Sequence, residues 1–267
     1  MVTSAARPGW SGSVSFGMVQ FPVRLYSAQR DKDVRFHTVH QVCGSRLNSE
    51  TVCRTCGRKV EREEVVKGYE VSKDQLVLLD AADFESLPLT STKTIEVAEC
   101  VEPERIPAVM QDKTYWMGPD DRQKVGYKAF CLFRQALARS GKAAVGRIAM
   151  RQGKELLCAI RPHGRALALQ VLHWADEIVD DAVVQGSVEE VSLTGEELQL
   201  ADQLIASLVT GECRFLGYQD AYREALESVI EDKLAGKEPV RLPEPQQRDS
   251  TDLMAALKAS LQTAKVA

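Results

Sequence analysis

Residues 13–27, SVSFGMVQFPVRLYS, are rich in β-branched and aromatic side chains, and Val14, Phe16 and Met18 alternate with Ser13, Ser15 and Gly17. A period of two is the signature of a half-buried strand. Pro22 has no N–H to give to a ladder and predicts an edge or a bulge. Outward from this stretch the pattern recurs. Residues 34–39 (VRFHTV) form a second short alternating run, and residues 75–79, 94–97 and 113–117 read as further strands. From Arg122 to Arg139 the period becomes helical, with Phe130, Phe133 and Leu137 on one side and Ser140-Gly141 as the stop. Strands resume at 144–151, 155–161 and 166–172, the last two joined by the turn signal Pro162-His163-Gly164. Many short strands around one helix predict a mixed, mainly β fold with a barrel-like core.

Past Trp174 the chain reads as helical. Thr194-Gly-Glu-Glu197 is a capping box that opens a helix with the apolar stripe Leu198, Ala201, Leu204, Ile205 and Leu208. A second helix is expected from about Asp220 to Leu234. After it comes a linker with Pro239, Pro243 and Pro245, and then a short amphipathic helix carrying Leu253, Leu257 and Leu261. The 267 residues, 44% of them hydrophobic, suffice for one large domain with appendages. No apolar run reaches the 18 residues of a membrane span, and the opening MVTSAARPGW lacks the apolar stretch of a secretory signal. A cytoplasmic, nucleoid-associated protein is expected.

The overall charge of -4 hides a strong asymmetry. Residues 122–173 hold 11 Lys/Arg against one acid, a net of +10, whereas residues 174–232 hold 15 acids against two Arg, a net of -13. A one-signed excess repels itself, and ordinary solvated surfaces intermix the two signs. In a dimer the excess would double, to roughly the ~20 phosphate charges on one ~34 Å turn of duplex. The basic segment therefore points to a polyanion.

Of the 7 cysteines, Cys43, Cys53 and Cys56 cluster, and the others sit singly in apolar stretches as small buried hydrophobes. No disulfide framework is implied. His40-x2-Cys43-x9-Cys53-x2-Cys56 has the spacing of a small tetrahedral zinc site, with Gly57 letting backbone amides point at a thiolate. Four protein ligands would make such a site structural, with no place left for a reactive water. His37 competes for the fourth position, and a pair of unliganded thiols on a hairpin is the simpler reading.

Two other functions are open on the residues alone. One is a zinc-ribbon regulator that prefers a particular DNA sequence. The other is a metal-dependent nuclease using Asp31 and Asp33, or Asp120 and Asp121. Phosphate-binding loops, nucleophile elbows and His-Glu-x2-His motifs are absent from the sequence.

Several strings then carry a family resemblance across nearly the whole chain: WSGSVSFGMVQFPVRLYSA, DKDVRFHTVH, VCRTCGRKV, VVKGYE, KAFCLFRQALARSGKAAVGRIAMR, HWADEI and the terminal TDLMAALKASLQTAK. They resemble prokaryotic Ku. The resemblance implies a homodimeric, non-enzymatic protein that binds double-stranded DNA ends in non-homologous end joining and recruits DNA ligase D. It implies a β-barrel core with an arm that closes a ring around the duplex (residues 1–178, including a zinc hairpin at 40–58). An acidic helical region (179–236), a Pro-rich linker (237–250) and a ligase-recruiting helix (251–267) would follow. Within the matching strings, Arg54, Arg58, Lys59, Lys67, Arg134, Lys142, Arg147, Arg151 and Arg161 are the expected DNA contacts, and Leu253, Leu257 and Leu261 the expected partner contacts. Many relatives carry a Lys-rich extension after this helix, so tail-dependent gripping of further DNA is not expected here.

Overall fold

Val14, Phe21, Val23 and Leu25, the apolar side of the opening hairpin, are fully buried, and a closed barrel is built around them. The structure is a computed structural model that describes residues 7–73, 75–86, 93–120, 124–150, 154–211, 217–237 and 253–264. Strands β1 (Trp10–Phe16) and β2 (Val19–Ser27) form that hairpin, and β5 (Thr94–Val101), β6 (Gln111–Pro119), β7 (Ala143–Ala149), β8 (Glu155–His163) and β9 (Ala166–Leu172) complete the barrel. Its order is β1-β2-β6-β9-β8-β7-β5. Every neighbour is antiparallel except β1 and β5, which run parallel and close the ring. Closure leaves no free barrel edge.

Pro22 accordingly does not mark an edge, because β2 pairs on both sides. It stands where the β2–β6 ladder ends, and its carbonyl accepts the Asp120 N–H at 3.2 Å. Helix α2 (Lys124–Ser140) presses Phe130, Phe133 and Leu137 into the same core, where Phe21 meets Phe130 edge-on at 6.2 Å. Gly126 permits the close approach of α2 to β2, since a methyl group there would overlap the Pro22 ring. On the outer face, Ala143, Ala159 and Leu172 pack under Ile106, so the 102–110 segment is pinned against β7, β8 and β9.

Residues 28–66 make little regular structure. The run at 34–39 is not a strand: only Val39 forms a bridge, to Arg46, and the alternation has no sheet to pair into. Strands β3 (Lys67–Ser72) and β4 (Gln75–Leu79) form a separate two-stranded sheet, followed by the short helix α1 (Ala81–Glu85). Of the scattered cysteines among the described residues only Cys158 is buried, and burial pushes its thiol up to about 12; Cys100 is exposed and Cys131 half-buried, and Cys213 lies outside the described residues.

The chain divides into two compact units, residues 1–180 without 33–35, and residues 181–267 with 33–35. The second contains α3 (Ala182–Gln185), α4 (Gly195–Leu208), α5 (Ala221–Leu234) and α6 (Leu253–Ala264). Thr194 caps α4 as its sequence requires, accepting the Glu197 N–H at 3.3 Å. Helix α6 packs on α4, with Lys258 Nζ 3.6 Å from Glu196. This contact splits the expected stripe of α4: Ala201 and Leu204 are half-buried, as is Leu200 outside the stripe, while Leu198, Ile205 and Leu208 stay exposed. Among the described residues every buried hydrophobic side chain lies between Val14 and Leu172, so this second unit has no fully buried core. The Pro-rich linker at 237–250 lies, but for Lys237, outside the described residues.

Candidate nucleic-acid interface

Two matching turns hold the clustered cysteines. In the first, His40 N–H donates to Ser45 O (2.8 Å) and Gly44 N–H to His40 O (2.8 Å). In the second, Cys53 N–H donates to Arg58 O (3.0 Å) and Gly57 N–H to Cys53 O (2.9 Å). Gly44 and Gly57 occupy equivalent positions with φ of 68° and 67°, a conformation that only glycine adopts cheaply. The His40-x2-Cys43 half is thus a structural copy of the Cys53-x2-Cys56 half. His40 Nδ1 lies 3.0 Å from Cys43 Sγ. The Cys43 thiol is held down to about 7, chiefly by the Ser45 hydroxyl and then by the Ser45 amide and His40. Cys53 is lowered as well, first by the backbone amide of Cys56.

One imidazole and three thiols in paired turns are a suitable donor set for zinc. The geometry brings the donors together two by two. Among the described residues no three His, Cys, Asp or Glu side chains gather closely enough to hold a metal.

The expected DNA contacts have specific neighbours. Lys142 Nζ donates to Glu102 at 2.5 Å, and Arg105 Nε donates to the same carboxylate at 2.7 Å, which holds Glu102 below the usual carboxylate range. Arg161 Nη2 reaches the Pro103 carbonyl at 3.3 Å, while its buried Nε has no hydrogen-bond partner. The 102–105 corner therefore gathers three cations, two of them on one carboxylate and the third on a carbonyl. Arg105 is the member that sequence reading missed. Its signal is Pro103, which opens a helical turn and sets Glu102 and Arg105 at i,i+3.

Arg147, 60% exposed, faces outward from β7 beside Glu155 at 3.7 Å, and Arg134 donates to Gly164 O at 2.9 Å. Around the paired turns, Arg58 meets Glu64 (2.7 Å), Lys59 meets Glu50 (2.9 Å) and Arg54 is exposed. Lys67 Nζ sits 4.3 Å over the Phe84 ring. Arg151 lies outside the described residues. The carboxylates facing Arg58, Lys59, Lys142 and Arg147 all belong to the barrel unit, none to the acidic helices. Pairs this exposed are worth about 0–1 kcal/mol each, so a phosphate can displace them cheaply.

One acid of the second pair considered for a nuclease centre already has a partner. Asp120 is committed to an ion pair with Arg24, both side chains about four-fifths covered. Asp121 lies outside the described residues.

Residues 15–200 match the family model described as the Ku70/Ku80 beta-barrel domain, a match that takes in the end of β1 and every other barrel strand. Curated relatives are similar over almost the whole chain. A protein of Archaeoglobus fulgidus named Non-homologous end joining protein Ku is 38% identical over 97% of this chain and 100% of its own length. The chain belongs to the Ku family. Two further proteins of that name, from Symbiobacterium thermophilum and Bacillus subtilis, are 38% and 34% identical. They are matched over 64% and 80% of their own lengths, so this chain spans less than two thirds of the former. The Ku barrel is thus the scaffold that carries Lys142, Arg147 and Arg161. Among the described residues no helix is long and apolar enough to cross a membrane.

The C-terminal leucines are unequally available. Leu253 is exposed, while Leu257 and Leu261 are half-buried on the helix that packs on α4.

Proposed function

We propose that this Ku-family protein binds double-stranded DNA ends without reading their sequence, as a homodimeric ring, and serves non-homologous end joining as a non-enzymatic scaffold. The observation that carries the reading is the excess of cations on the Ku barrel. Residues 122–173 net +10, and the side chains described among them are engaged only by weak surface pairs or by carbonyls. Contacts to phosphate position a protein on duplex without specifying bases. Threading onto a duplex requires a free end. Linear duplex is expected to compete with a labelled linear probe far better than an equal mass of covalently closed circle, and equal competition would remove the ring. A selection from random oligonucleotides that returned a consensus would favour the zinc-ribbon regulator instead.

Zinc is part of the proposal. His40, Cys43, Cys53 and Cys56 would hold it, drawing the two paired turns together, and the metal would serve structure alone because four protein ligands fill its tetrahedron. About one zinc per chain is expected in the purified protein, and none in Cys53→Ser. A metal-free wild type with the same folded 40–58 segment would refute it.

Recruitment of DNA ligase D is assigned to α6, whose exposed Leu253 offers the start of a helix-in-groove contact. Leu257 and Leu261 would join it once α6 leaves α4. Deleting residues 251–267 is expected to abolish stimulation of the ligase and to leave DNA binding intact. Undiminished stimulation would return the helix to a purely structural role on α4.

A further inference from the structure

Helix α6 has a single apolar face. Leu253, Met254, Leu257 and Leu261 are its large apolar side chains, and at 3.6 residues per turn they fall within an arc of about 100°. The rest of the helix is Ala, Ser, Lys, Gln and Thr. Met254, Leu257 and Leu261, at the i, i+3, i+7 spacing of one stripe, are half-buried, and only Leu253 stays exposed, at 57%. The helix that α6 packs on is α4, where Leu200, Ala201 and Leu204 form a matching half-buried patch and Glu196 stands 3.6 Å from Lys258.

We infer that α4 holds the ligase-recruiting helix in check: it grips α6 by the stripe a ligase groove would need, so docking on α4 and binding to the ligase exclude each other. The inference rests on the recruitment of DNA ligase D by α6 proposed above and names its control.

The exclusion follows from the shape of α6. A helix laid in a partner's groove is read through anchors at i, i+3, i+4 and i+7. Docked α6 offers only the first of these, Leu253, and has no second apolar face to offer in their place. A partner therefore gains the full stripe only from the undocked helix, and its apparent affinity falls with the fraction of chains in that state.

The contact is also suited to exchange. Isolated helices of about 12–15 residues or fewer are marginal in water, so the 12 residues of α6 need a groove, whether that of α4 or of a partner. Neither helix buries a hydrophobic side chain fully among the described residues, which makes the docking shallow. The 18 residues from 235 to 252 tie α6 to α5. Docking is thus intramolecular, and a weak contact suffices to keep the helix home until a partner competes for it.

The test uses the full chain. Leu204→Gln removes apolar contact from α4, keeps a good helix former there and leaves every residue of α6 unchanged. Hydrogen exchange of the α6 amides is expected to quicken at least tenfold, the scale set by an undocked state of roughly 0.1–10%. The affinity for DNA ligase D should rise by the same factor, because one opening equilibrium governs both. Ile205→Gln, on the exposed face of α4, should change neither. In wild type, added ligase is expected to quicken exchange in α4 while α6 stays protected, as the helix passes from one groove to the other. That measurement needs no variant and decides the matter if Leu204→Gln fails to fold. An α4 whose exchange is unchanged or slowed by bound ligase overturns the inference. So does an α6 freed by Leu204→Gln with no gain in ligase affinity. Both outcomes leave recruitment standing as long as deletion of residues 251–267 abolishes ligase binding. If that deletion leaves the affinity unchanged, the recruitment reading itself falls, and this control with it.

Discussion

Raising the salt from about 50 to 200 mM is expected to weaken binding to a linear duplex by roughly 10^3–10^5-fold, with a log–log slope between about -5 and -9. These are the values for six to ten phosphate contacts, each releasing condensed counterions. The proposed contacts have candidates on this surface. Lys142, Arg105 and Arg161 converge at the 102–105 corner, Arg134 and Arg147 stand on α2 and β7, and Arg54, Arg58 and Lys59 ring the paired turns. In a two-fold assembly each counts twice. A slope shallower than about -2, measured by fluorescence anisotropy across that salt range, would mean that affinity rests on something other than phosphate charge.

The internal pairs temper this expectation without reversing it. An exposed Lys–Glu pair contributes about 0–1 kcal/mol and is itself screened by salt, so exchanging Glu102 for a phosphate costs Lys142 little. Glu102 also faces two cations at once, which leaves the corner net positive even with the carboxylate in place. Arg161 shows the other side of the balance. Its Nη2 is held by the Pro103 carbonyl and its Nε is buried without a partner, so part of this guanidinium is committed to the barrel surface rather than free to meet DNA. Arg161→Ala should therefore cost stability as well as affinity. The charge pattern of the sequence and the geometry of the surface meet in one arrangement. The cations stand on the barrel, and the acids that restrain them come from the barrel unit too, while the acidic helices after Asp181 bury no hydrophobic side chain fully among the described residues.

Much of this was legible from residue order because the relevant signals are local. The alternation of Val14 and Phe16, the Phe130–Phe133–Leu137 spacing and the Thr194–Glu197 box each act within a few residues, and strand, helix and cap form where they predict. The paired turns could be read for the same reason, since the x2 spacing and the following glycine dictate the turn. Long-range pairing was not legible. Nothing near Lys142 announces Glu102, 40 residues away, and nothing in Arg134 announces the carbonyl of Gly164. The alternation at 34–39 misled, because a period of two describes a strand only where a partner strand exists. KGYEVS at 67–72 carries the apolar alternation only in Tyr69 and Val71, beside a glycine and two charges, and yet pairs with β4, since hairpin registry rather than burial holds it. The parallel closure of β1 on β5 has no sequence signature either, but the two ladders of β5, to β1 and to β7, explain two glycines that periodicity leaves idle.

Those glycines carry the second large effect. Gly12 on β1 and Gly146 on β7 flank β5 from opposite sides. A methyl group at Gly12 would overlap the Lys93 carbonyl oxygen and the Trp10 ring. One at Gly146 would overlap the Glu96 carbonyl oxygen and stand 2.9 Å from its carbon and 3.1 Å from Val97 Cα. The obstruction at Gly146 is backbone on a strand held by ladders on both sides, so no side chain can swing away to make room. Gly146→Ala is expected to destabilise the fold by about 3 kcal/mol or more, at or beyond the top of the range for overpacking a filled interior. For a chain of this length that lowers the melting temperature by roughly 6–12 °C. Gly146→Val, whose branched side chain adds to the same overlap, should leave little folded protein. Urea unfolding followed by tryptophan fluorescence reads the difference, since the Trp10 indole donates to Ala149 O at 3.1 Å and so reports on the β1–β5–β7 closure itself. A Gly146→Ala protein within about 1 kcal/mol of wild type, below the range for overpacking, would show that β5 and β7 are not this close. If instead the variant opens the β5–β7 ladder, Arg147 on β7 and Lys142 at its start lose their fixed places, and DNA affinity should fall with stability although no cation has been changed.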